Sequence, residues 1–519
     1  MDYDKSHKFI GMFYRIFFIF LYILIVGGCG VKPNSKQLNL IMPGDPKNID
    51  PAYATDVRTG QLCTLLYDNL VRFGNGAELL PGLSESWEIS EDGLKYLFSI
   101  RDSVLFQDGK ILQCSDIKKS FERILDPKTK SHRKWLFKNV NGATEFSLGN
   151  SESVTGFSCE DDNKLQIELI QPFAPFLGFL AMPSASIIYV SKSGKIVGTG
   201  PWKLKEWIHD GHILLDRNSD YFDGAPKLEY LKIRILPEVL PRTAEFVTGY
   251  LDIMEVPESE FSIWSKDPEW SPNIKYQDDL NIFYLGLNCS RPPFNDVKVR
   301  RAVNYAIDVQ RIIDKVKNGN AIPASGPIPP GLIRPYPPIK YGFNPQRAKE
   351  LLALSGYADG LEIELWQSQS SKLLYVTEAI QAQLEAVGIH VKIVRNDWNM
   401  YSKAVTEGVP DMYYRSWYAD YPDAENFLAP LFESEISERR WTRYSNKDLD
   451  KLIDKIQTTT DEKQRQIYIH EASSILIDDV PWVYLWHTRT AYISQPNLLG
   501  WSPSLMFNAE KYIQVTKND

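Results

Sequence analysis

The sequence predicts an α/β protein with mixed sheets and flanking helices, and three observations carry that prediction. From about residue 282 onward, strand-like segments alternate with amphipathic helical segments. Before that point, Asp-Gly pairs separate short alternating segments, which is the pattern of β-hairpins. No internal repeat or low-complexity tract interrupts the 519 residues. A chain of that length predicts several domains or lobes, each with its own core.

The first residues have the layout of an export signal. A basic start precedes the uncharged run IFFIFLYILIV at 16–26, which suits a signal-peptide core and is short for a permanent membrane helix. The small residues of VGG then precede Cys29, as in a bacterial lipobox. We therefore expect a signal peptide at 1–28, lipidation at Cys29 and a polar tether at 29–37. A plain secretory signal and an uncleaved anchor are the alternatives.

Charge and composition restrict the partners. The formal net charge is −8 and lysines are interspersed with glutamates, so we expect no nucleic-acid partner. No second apolar run approaches membrane length. Aromatic residues make up 12% of the chain, which suits ring-lined recognition surfaces and equally suits a large β-rich core.

The cysteines and histidines predict neither a metal site nor redox chemistry. Besides Cys29, the chain has Cys63, Cys114, Cys159 and Cys289, and no two of these have CxxC spacing. One or two disulfides are open to an exported protein, but the apolar setting of Cys63 favours free buried thiols. The seven histidines include no HExxH pattern, so we expect no metal and no cofactor.

The first half alternates between strand and hairpin patterns, with helices between them. We expect strands at 38–43, 164–170 and 202–218, the last turning at Asp210-Gly211, and two hairpin turns within 83–112. Helical spacing covers 57–71, and a further helix begins at Ser115-Asp116 and stops at Asp126-Pro127.

The second half alternates strand and helix. A strand at 281–289 precedes an amphipathic helix from Asp296 to Val316, and a proline-rich loop at 322–339 follows. The later elements are predicted as helices at 345–355, 372–387, 447–457 and 461–478 and strands at 361–366, 389–394 and 482–487. Strand–helix–strand units of this kind favour a sheet covered by helices.

One stretch carries the strongest hint of function. RSWYADYPDAENFLAPLF, at 415–432, places Asp420 among Trp417, Tyr418 and Tyr421. An unpaired charge is expensive to bury among rings. Asp420 therefore faces water, caps a turn before Pro422, or receives a positively charged ligand. Asp423 precedes AENFLAPLF and is predicted to be a helix N-cap.

Four blocks of sequence point to a known family. They are LSESWEISEDGLKYLFSIRDSVLFQDGKILQCSDIKKSFERILDP (83–127), GTGPWKLKEWIHDG (198–211) with NSDYFDGAPKLEYLKIRILP (218–237), FYLGLNCSRPPFNDVKVRRAVNYAIDVQRII (283–313) and WYADYPDAENFLAPLF (417–432). These blocks resemble those of the oligopeptide/dipeptide-binding lipoproteins, the extracellular solute-binding family 5 that serves ABC importers. They occur in the family's order, and the resemblance covers nearly the whole mature chain.

The resemblance implies a two-lobed periplasmic-binding-protein fold, a Venus flytrap with an extra inserted subdomain. The lobe I scaffold would comprise 38–55, 198–281 and 489–519, with the inserted subdomain at 56–197 and lobe II at 282–488. The implied mechanism is hinge closure over a ligand, without bond chemistry.

The same resemblance implies the partners and the location. We expect a peptide ligand, separate permease and ATPase subunits of an ABC importer, a membrane contact through the N-terminal lipid, and a monomer. The mature protein would sit on the periplasmic or extracellular face of the cell envelope. Which membrane would carry the lipid stays open.

The resemblance also names candidate ligand-binding residues. Asp420 matches an aspartate that holds the α-ammonium of the ligand, and a charge-assisted hydrogen bond of that kind is worth about 1.5–3 kcal/mol. Trp398 and Tyr401 match a position where the family places a ring over the ligand, although a core role is equally open. Trp417 and Tyr418 lie on a strand that can pair with an extended peptide. The partner strand would be at Leu40 to Gly44, which includes Met42, Pro43 and Gly44.

The residue for the ligand carboxylate is undecided. By ungapped counting, the two arginines of the best-known relatives correspond to Val405 and Tyr414, and Arg415 is one position away. One position reverses the face of a strand. Either the register slips and Arg415 serves, or another residue serves, or the ligand has no such carboxylate.

Two other functions stay open from the sequence. The same fold can bind an oligosaccharide, a metal chelate or a signalling peptide, because fold does not fix function. An exported hydrolase would use Asp420, Asp423 and Glu425 as acid and base, but no nucleophile motif accompanies them.

Overall fold

The computed structural model describes residues 34–434 and 441–518, without the side chains of 371 and 372. The predicted signal peptide at 1–28 and the lipidation site Cys29 lie outside the described residues. None of the helices within these ranges has the length and apolar character of a membrane span.

The described chain contains strands and helices that we number in chain order. The strands are β1 (Gln37–Met42), β2 (Val71–Phe73), β3 (Leu79–Pro81), β4 (Ser84–Ile89), β5 (Lys95–Ile100), β6 (Phe157–Asp161), β7 (Lys164–Glu168), β8 (Tyr189–Val190), β9 (Ile196–Val197), β10 (Trp202–Ile208), β11 (His212–Arg217), β12 (Tyr230–Ile235), β13 (Ile253–Glu255), β14 (Ile274–Asp278), β15 (Asn281–Leu287), β16 (Ala321–Pro323), β17 (Leu361–Ser368), β18 (Ile389–Asn396), β19 (Met412–Tyr418), β20 (Trp482–Ser494), β21 (Leu498–Leu499) and β22 (Thr516–Lys517). The α-helices are α1 (Val57–Leu66), α2 (Cys114–Leu125), α3 (Ala143–Ser147), α4 (Phe176–Leu180), α5 (Val239–Val247), α6 (Phe261–Trp264), α7 (Val297–Ala306), α8 (Val309–Val316), α9 (Pro345–Leu354), α10 (Ser371–Glu385), α11 (Trp398–Glu407), α12 (Ala429–Phe432), α13 (Lys447–Thr458) and α14 (Glu462–Asp479). Short 3-10 helices lie at Pro51–Tyr53, Lys134–Phe137, Pro183–Ala185, Ser271–Asn273 and Ala424–Phe427.

The first sheet has four strands in the order β1-β12-β11-β10. β1 runs parallel to β12, and the other pairs are antiparallel. One side of this sheet packs against helix α1 and the C-terminal segment, in a core that includes Leu38, Leu62, Trp202 and Val515. β1 lies at the edge of this sheet, and on its outer side the backbone N–H and C=O of Asn39 are bonded to Asp252.

The segment between α1 and β10, which we call the inserted segment, forms its own antiparallel sheet in the order β4-β5-β7-β6. Helix α2 packs on this sheet, and Cys114 at its start is joined to Cys159 on β6 by a disulfide with a Cα–Cα distance of 5.9 Å. The prediction of free thiols is therefore wrong for this pair. Cys63 and Cys289 are free, as predicted. The pairing requires α2 to fold back onto β6, a contact between residues 45 positions apart.

The largest sheet contains β13-β20-β15-β19-β17-β18, with β14 and β16 also paired to β20. Helices α7 to α10 cover one face, where the core includes Leu285, Val303, Ile380 and Trp486. The other face packs into a second core that also contains residues of the inserted segment, such as Phe121 and Phe179. Mixed sheets with flanking helices are what the sequence predicts.

Two chain segments connect β13 and β14 with the rest of the largest sheet. The chain passes from β14 into β15 through Asp279 and Leu280, and the long strand β20 pairs with β15 through its first part and with β14 and β13 through its last. The Asp279 carboxylate accepts hydrogen bonds from the hydroxyls of Thr488 and Thr490, both 2.6 Å away, and so ties the two connections together. The predicted boundary at 488/489 falls within β20, and the proposed lobe limits stay a prediction.

The predicted single helix from Asp296 to Val316 is wrong in one respect. The structure has two helices, α7 and α8, separated at Ile307 and Asp308. The Asp308 side chain accepts a hydrogen bond from the Arg311 backbone N–H at 3.0 Å and caps the second helix. The apolar spacing continues through the break because both helices pack on the same sheet face.

Candidate functional site

A cavity of about 750 Å³ lies between the first sheet, the inserted segment and the largest sheet. Its wall includes Pro43 after β1, Arg58 in α1, Met182 of the inserted segment, and Tyr418 and Asp420 at the end of β19. The two connecting segments contribute Asp279, Leu280 and Phe283, and residues 488–492. The volume is within the range of ligand-binding sites, about 300–1,000 Å³.

Asp420 is half-buried and lines this cavity. Its backbone N–H donates a hydrogen bond to the Asn426 side-chain oxygen at 3.0 Å. Within residues 34–434 and 441–518, its carboxylate makes no hydrogen bond or ion pair. A turn cap would use that carboxylate, whereas here the turn is held through the backbone amide and Asn426.

The other carboxylates on the cavity wall are already occupied. Asp56 accepts from the backbone N–H and the hydroxyl of Thr59. Glu258 pairs with Lys317 at 2.7 Å, and Asp279 is bonded by the hydroxyls of 488 and 490. Glu255 also has a partner. Asp420 is therefore the wall carboxylate that an incoming cation can engage.

Trp417 and Tyr418 lie on opposite faces of β19, because side chains alternate along a strand. The Trp417 indole N–H donates to the same Asn426 oxygen as Asp420, at 3.1 Å, and its ring lies 6.5 Å from that of Trp441. Tyr418 is 54% exposed, packs against Phe283 and lines the cavity. Of the two rings, Tyr418 is the one that the cavity presents to a ligand.

Arg415, Trp398 and Tyr401 form a separate cluster. The Arg415 guanidinium stacks on the Trp441 ring at 3.6 Å and lies 5.5 Å from the Trp398 ring centre. Tyr401 is buried and its hydroxyl donates to the Tyr414 carbonyl, and burial raises the pKa of that hydroxyl. Trp398 is 58% exposed. None of these three side chains is on the wall of the 750 Å³ cavity.

The outer edge of β19 is open beyond its first two residues. β19 pairs with β15 along its whole length but with β17 only at Met412 and Tyr413. The Ala419 N–H bonds to Leu280 at 2.9 Å, so the alternation of an antiparallel strand directs the N–H and C=O groups of Ser416 and Tyr418 away from β15. No residue in the described ranges bonds to these groups, so they can pair with an extended backbone.

Met42, Pro43 and Gly44, the predicted partner strand for the ligand, differ in their access to the cavity. Met42 is buried in the core of the first sheet and borders a smaller cavity of about 240 Å³. Pro43 is exposed and borders both cavities. Gly44 lies against Arg58, since a side chain at position 44 would collide with the guanidinium.

The carboxylates that follow Asp420 point elsewhere. Asp423 accepts from the Glu425 backbone N–H at 2.8 Å, as the predicted N-cap, and forms a buried ion pair with Arg465 at 2.7 Å. Glu425 is buried and bonded by Tyr421 and Gln457, and burial raises its pKa to about 6. Neither side chain is on the cavity wall, so the three acids do not converge on one reacting centre.

The sequence did not point to Asn426 or Arg58. Asn426 is 2% exposed and joins Trp417 to Asp420, and only its position six residues after Asp420 in a turn-rich stretch hinted at that role. Arg58 comes from a helix far away in the chain, and no local pattern marks it. Among the described residues, no group of His, Cys, Asp and Glu side chains is arranged to hold a metal ion.

Comparisons with known proteins agree with this architecture. The family described as Bacterial extracellular solute-binding proteins, family 5 Middle, matches residues 78–438. The dipeptide-binding protein of Escherichia coli (strain K12) is 30% identical over 485 residues, which cover 88% of this chain and 90% of that protein. Heme-binding protein A of Haemophilus influenzae is 30% identical over 470 residues, with 85% and 84% covered.

A solved structure shows the same fold. The periplasmic binding protein DppA from Helicobacter pylori, in complex with the peptide STSA, has a TM-score of 0.76 and 28% sequence identity, and the match covers 93% of this chain and 98% of that one. This likeness confirms the predicted fold class, a two-lobed α/β binding-protein fold.

Proposed function

Because the chain belongs to the bacterial extracellular solute-binding proteins of family 5, we propose that it is a receptor that binds peptides between two closing lobes. The lobes close over the ligand, and the closed complex is delivered to the permease and ATPase subunits of an ABC importer. The work of such a receptor is differential binding of open and closed states, with no bond made or broken.

One observation carries the proposal of a peptide ligand. Asp420 places a carboxylate without a described partner on the wall of a cavity of about 750 Å³, beside the exposed ring of Tyr418. An α-ammonium group would satisfy it with a charge-assisted hydrogen bond, which is stronger than a neutral one. The buried Asn426 holds the backbone at Asp420 in place, so the carboxylate is positioned before the ligand arrives.

The open edge of β19 supports the same ligand class. The outward N–H and C=O groups of Ser416 and Tyr418 lie four and two residues before Asp420. A peptide that pairs with them antiparallel to β19 places its amino end near the Asp420 carboxylate, at the C-terminal end of the strand. Main-chain pairing of this kind accepts many side chains, because it uses only groups that every peptide has.

We propose the location and the partners on the family description and on the export signal of the sequence. The family is extracellular by its description, and the predicted lipid on Cys29 would hold the protein at a membrane surface. Binding in a cleft of one chain needs no second copy, so we propose a monomer. The DppA relative is described as associated with an ABC transporter.

One relative supports a second candidate class of ligand. The similar protein from Haemophilus influenzae is named for heme binding, so a non-peptide solute is a real alternative on this fold. The hydrolase hypothesis has less support, because Asp423 and Glu425 are committed to structural contacts away from the cavity.

Calorimetry with matched peptides tests the proposal. We expect a free tripeptide to bind and its N-acetylated form to bind about 10- to 100-fold more weakly, because acetylation removes the charge that Asp420 engages. Equal affinity for both forms would point to another ligand class. Chromatography of the peptide after incubation completes the test, since cleavage products would overturn the receptor proposal in favour of a hydrolase.

A further inference from the structure

The positively charged side chains on the cavity wall differ in the ion pairs and hydrogen bonds that they already make. The wall includes Arg58, Arg133, Lys317 and Arg489. Lys317 pairs with Glu258 at 2.7 Å, and Arg489 pairs with Asp278 through two nitrogens. The Arg133 Nε donates to the Ala54 carbonyl at 2.9 Å, and its guanidinium lies over the Trp135 ring.

Arg58 is the exception among the four. Its nearest described carboxylate is Asp56, whose Oδ1 lies 3.9 Å from the Arg58 Nε, and that carboxylate already accepts two hydrogen bonds from Thr59. No hydrogen bond of the Arg58 guanidinium is found in the described part of the chain. The side chain is 37% exposed. An exposed ion pair at 3.9 Å is weak, so the guanidinium keeps its capacity for a second anion.

Gly44 leaves the space that this guanidinium occupies. A β-carbon at position 44 would collide with the terminal nitrogen of Arg58. The glycine has no left-handed backbone conformation to explain it, so its lack of a side chain has a steric role here. Arg58 therefore lies against the turn that follows β1, on the wall formed by the first sheet and α1.

Arg415, the rival for a ligand carboxylate, lies elsewhere. Its guanidinium is stacked on the Trp441 ring and lies near the Trp398 ring, away from the wall of the main cavity. A carboxylate that entered this cavity would meet Arg58 without displacing an indole ring. The planar guanidinium also suits bidentate binding of a carboxylate.

We propose that Arg58 binds the α-carboxylate of a short peptide whose α-ammonium group is held by Asp420. The inference rests on the proposed function and narrows its ligand class to short zwitterionic peptides that fit a cavity of about 750 Å³. The Asp420 carboxylate, which has no partner in the described chain, and the weakly paired Arg58 guanidinium line the same cavity. An extended chain rises about 3.3 Å per residue, so a peptide of a few residues can present its two charged ends to different parts of the wall.

The test compares a tripeptide acid with its C-terminal amide in the intact protein and in Arg58→Gln. The unchanged protein should bind the acid about 10- to 100-fold more tightly than the amide. Arg58→Gln should remove that preference and leave the affinity for the amide unchanged. Arg415→Gln is the matched control and should keep the full preference for the acid. Melting temperatures of both variants show that each is folded.

A second variant keeps the charge but displaces it. Gly44→Ala should push the guanidinium from its place, and so weaken binding of the acid while binding of the amide is retained. The inference is overturned if Arg58→Gln keeps the full preference for the acid, or if Arg415→Gln is the variant that loses it. In either case, a continued loss of affinity on N-acetylation would leave the proposed peptide receptor intact. Loss of both effects would overturn the two proposals together.

Discussion

Asp420 and Asp423 are three positions apart, and the structure predicts opposite consequences for the same substitution at each. Asp420→Asn removes a carboxylate that has no partner in the described chain, so folding should be unaffected. Affinity for a peptide with a free amino end should fall, because a charge-assisted hydrogen bond of about 1.5–3 kcal/mol is lost. At 1.4 kcal/mol for each factor of ten, the loss is about 10- to 100-fold.

Asp423→Asn is the matched control. Asp423 pairs with Arg465 at 2.7 Å, and the side chains are only 17% and 8% exposed. Breaking a buried pair by removing one partner costs about 3–5 kcal/mol, which corresponds to a fall in melting temperature of about 3–5 °C for a chain of this length. Peptide affinity measured below the transition should hardly change, since Asp423 is not on the cavity wall.

Differential scanning calorimetry gives the melting temperature of each variant, and titration calorimetry gives its peptide affinity. The reasoning is refuted if Asp420→Asn melts at a lower temperature and keeps its affinity, since Asp420 would then be a structural cap. It is equally refuted if Asp423→Asn loses affinity without losing stability.

Three further predictions concern stability. Asn426→Leu removes the oxygen that accepts from two part-buried N–H donors and should cost about 1–3 kcal/mol while also weakening peptide binding, which calorimetry of both kinds would show. Burial lowers the pKa of His487 to about 4. The unfolded state, at about 6.5, therefore binds the proton first as the pH falls, and the protein should lose about 2 kcal/mol from this group between pH 7 and pH 5. His487→Gln should show a correspondingly flatter profile of melting temperature against pH. Replacing Cys114 and Cys159 together by serine opens a loop closed across 45 positions and should lower the free energy of unfolding by about 4 kcal/mol, as judged by denaturant titration.

Periodic segments fixed most of the regular structure from sequence alone, and the exceptions have identifiable causes. The strands at 361–368 and 389–396 follow their apolar pattern because one sheet face is buried under helices. The break between α7 and α8 escaped that pattern, since both helices bury the same face. The N-cap residue Asp308 marks the break, and a search for caps inside long helices would have found it.

The disulfide could not be chosen from the sequence. Cys114 and Cys159 lie at the start of a helix and on a strand, and only the packing of α2 against the sheet brings them together. Cysteine spacing has no information about such contacts, so four exported cysteines allow several pairings.

Some residues of the functional site could likewise be predicted from the sequence, and others could not. The position of Asp420 among aromatic rings signals an unusual carboxylate, and strand periodicity places Trp417 and Tyr418 on opposite faces. The supports of the site depend on chain segments that meet only in the folded protein. Arg58 belongs to a helix more than three hundred residues before Asp420. Only the folded structure shows that it lines the same cavity and that the other cations on the wall are already paired.

A crystal structure of the protein with a bound tripeptide tests the central claim most directly. We predict that the ligand's α-ammonium nitrogen lies about 2.7–2.9 Å from a carboxylate oxygen of Asp420, with the peptide backbone paired to the outer edge of β19 at Ser416 and Tyr418. A ligand seated away from this cavity, with the Asp420 carboxylate bonded to the protein's own amides, would contradict the account.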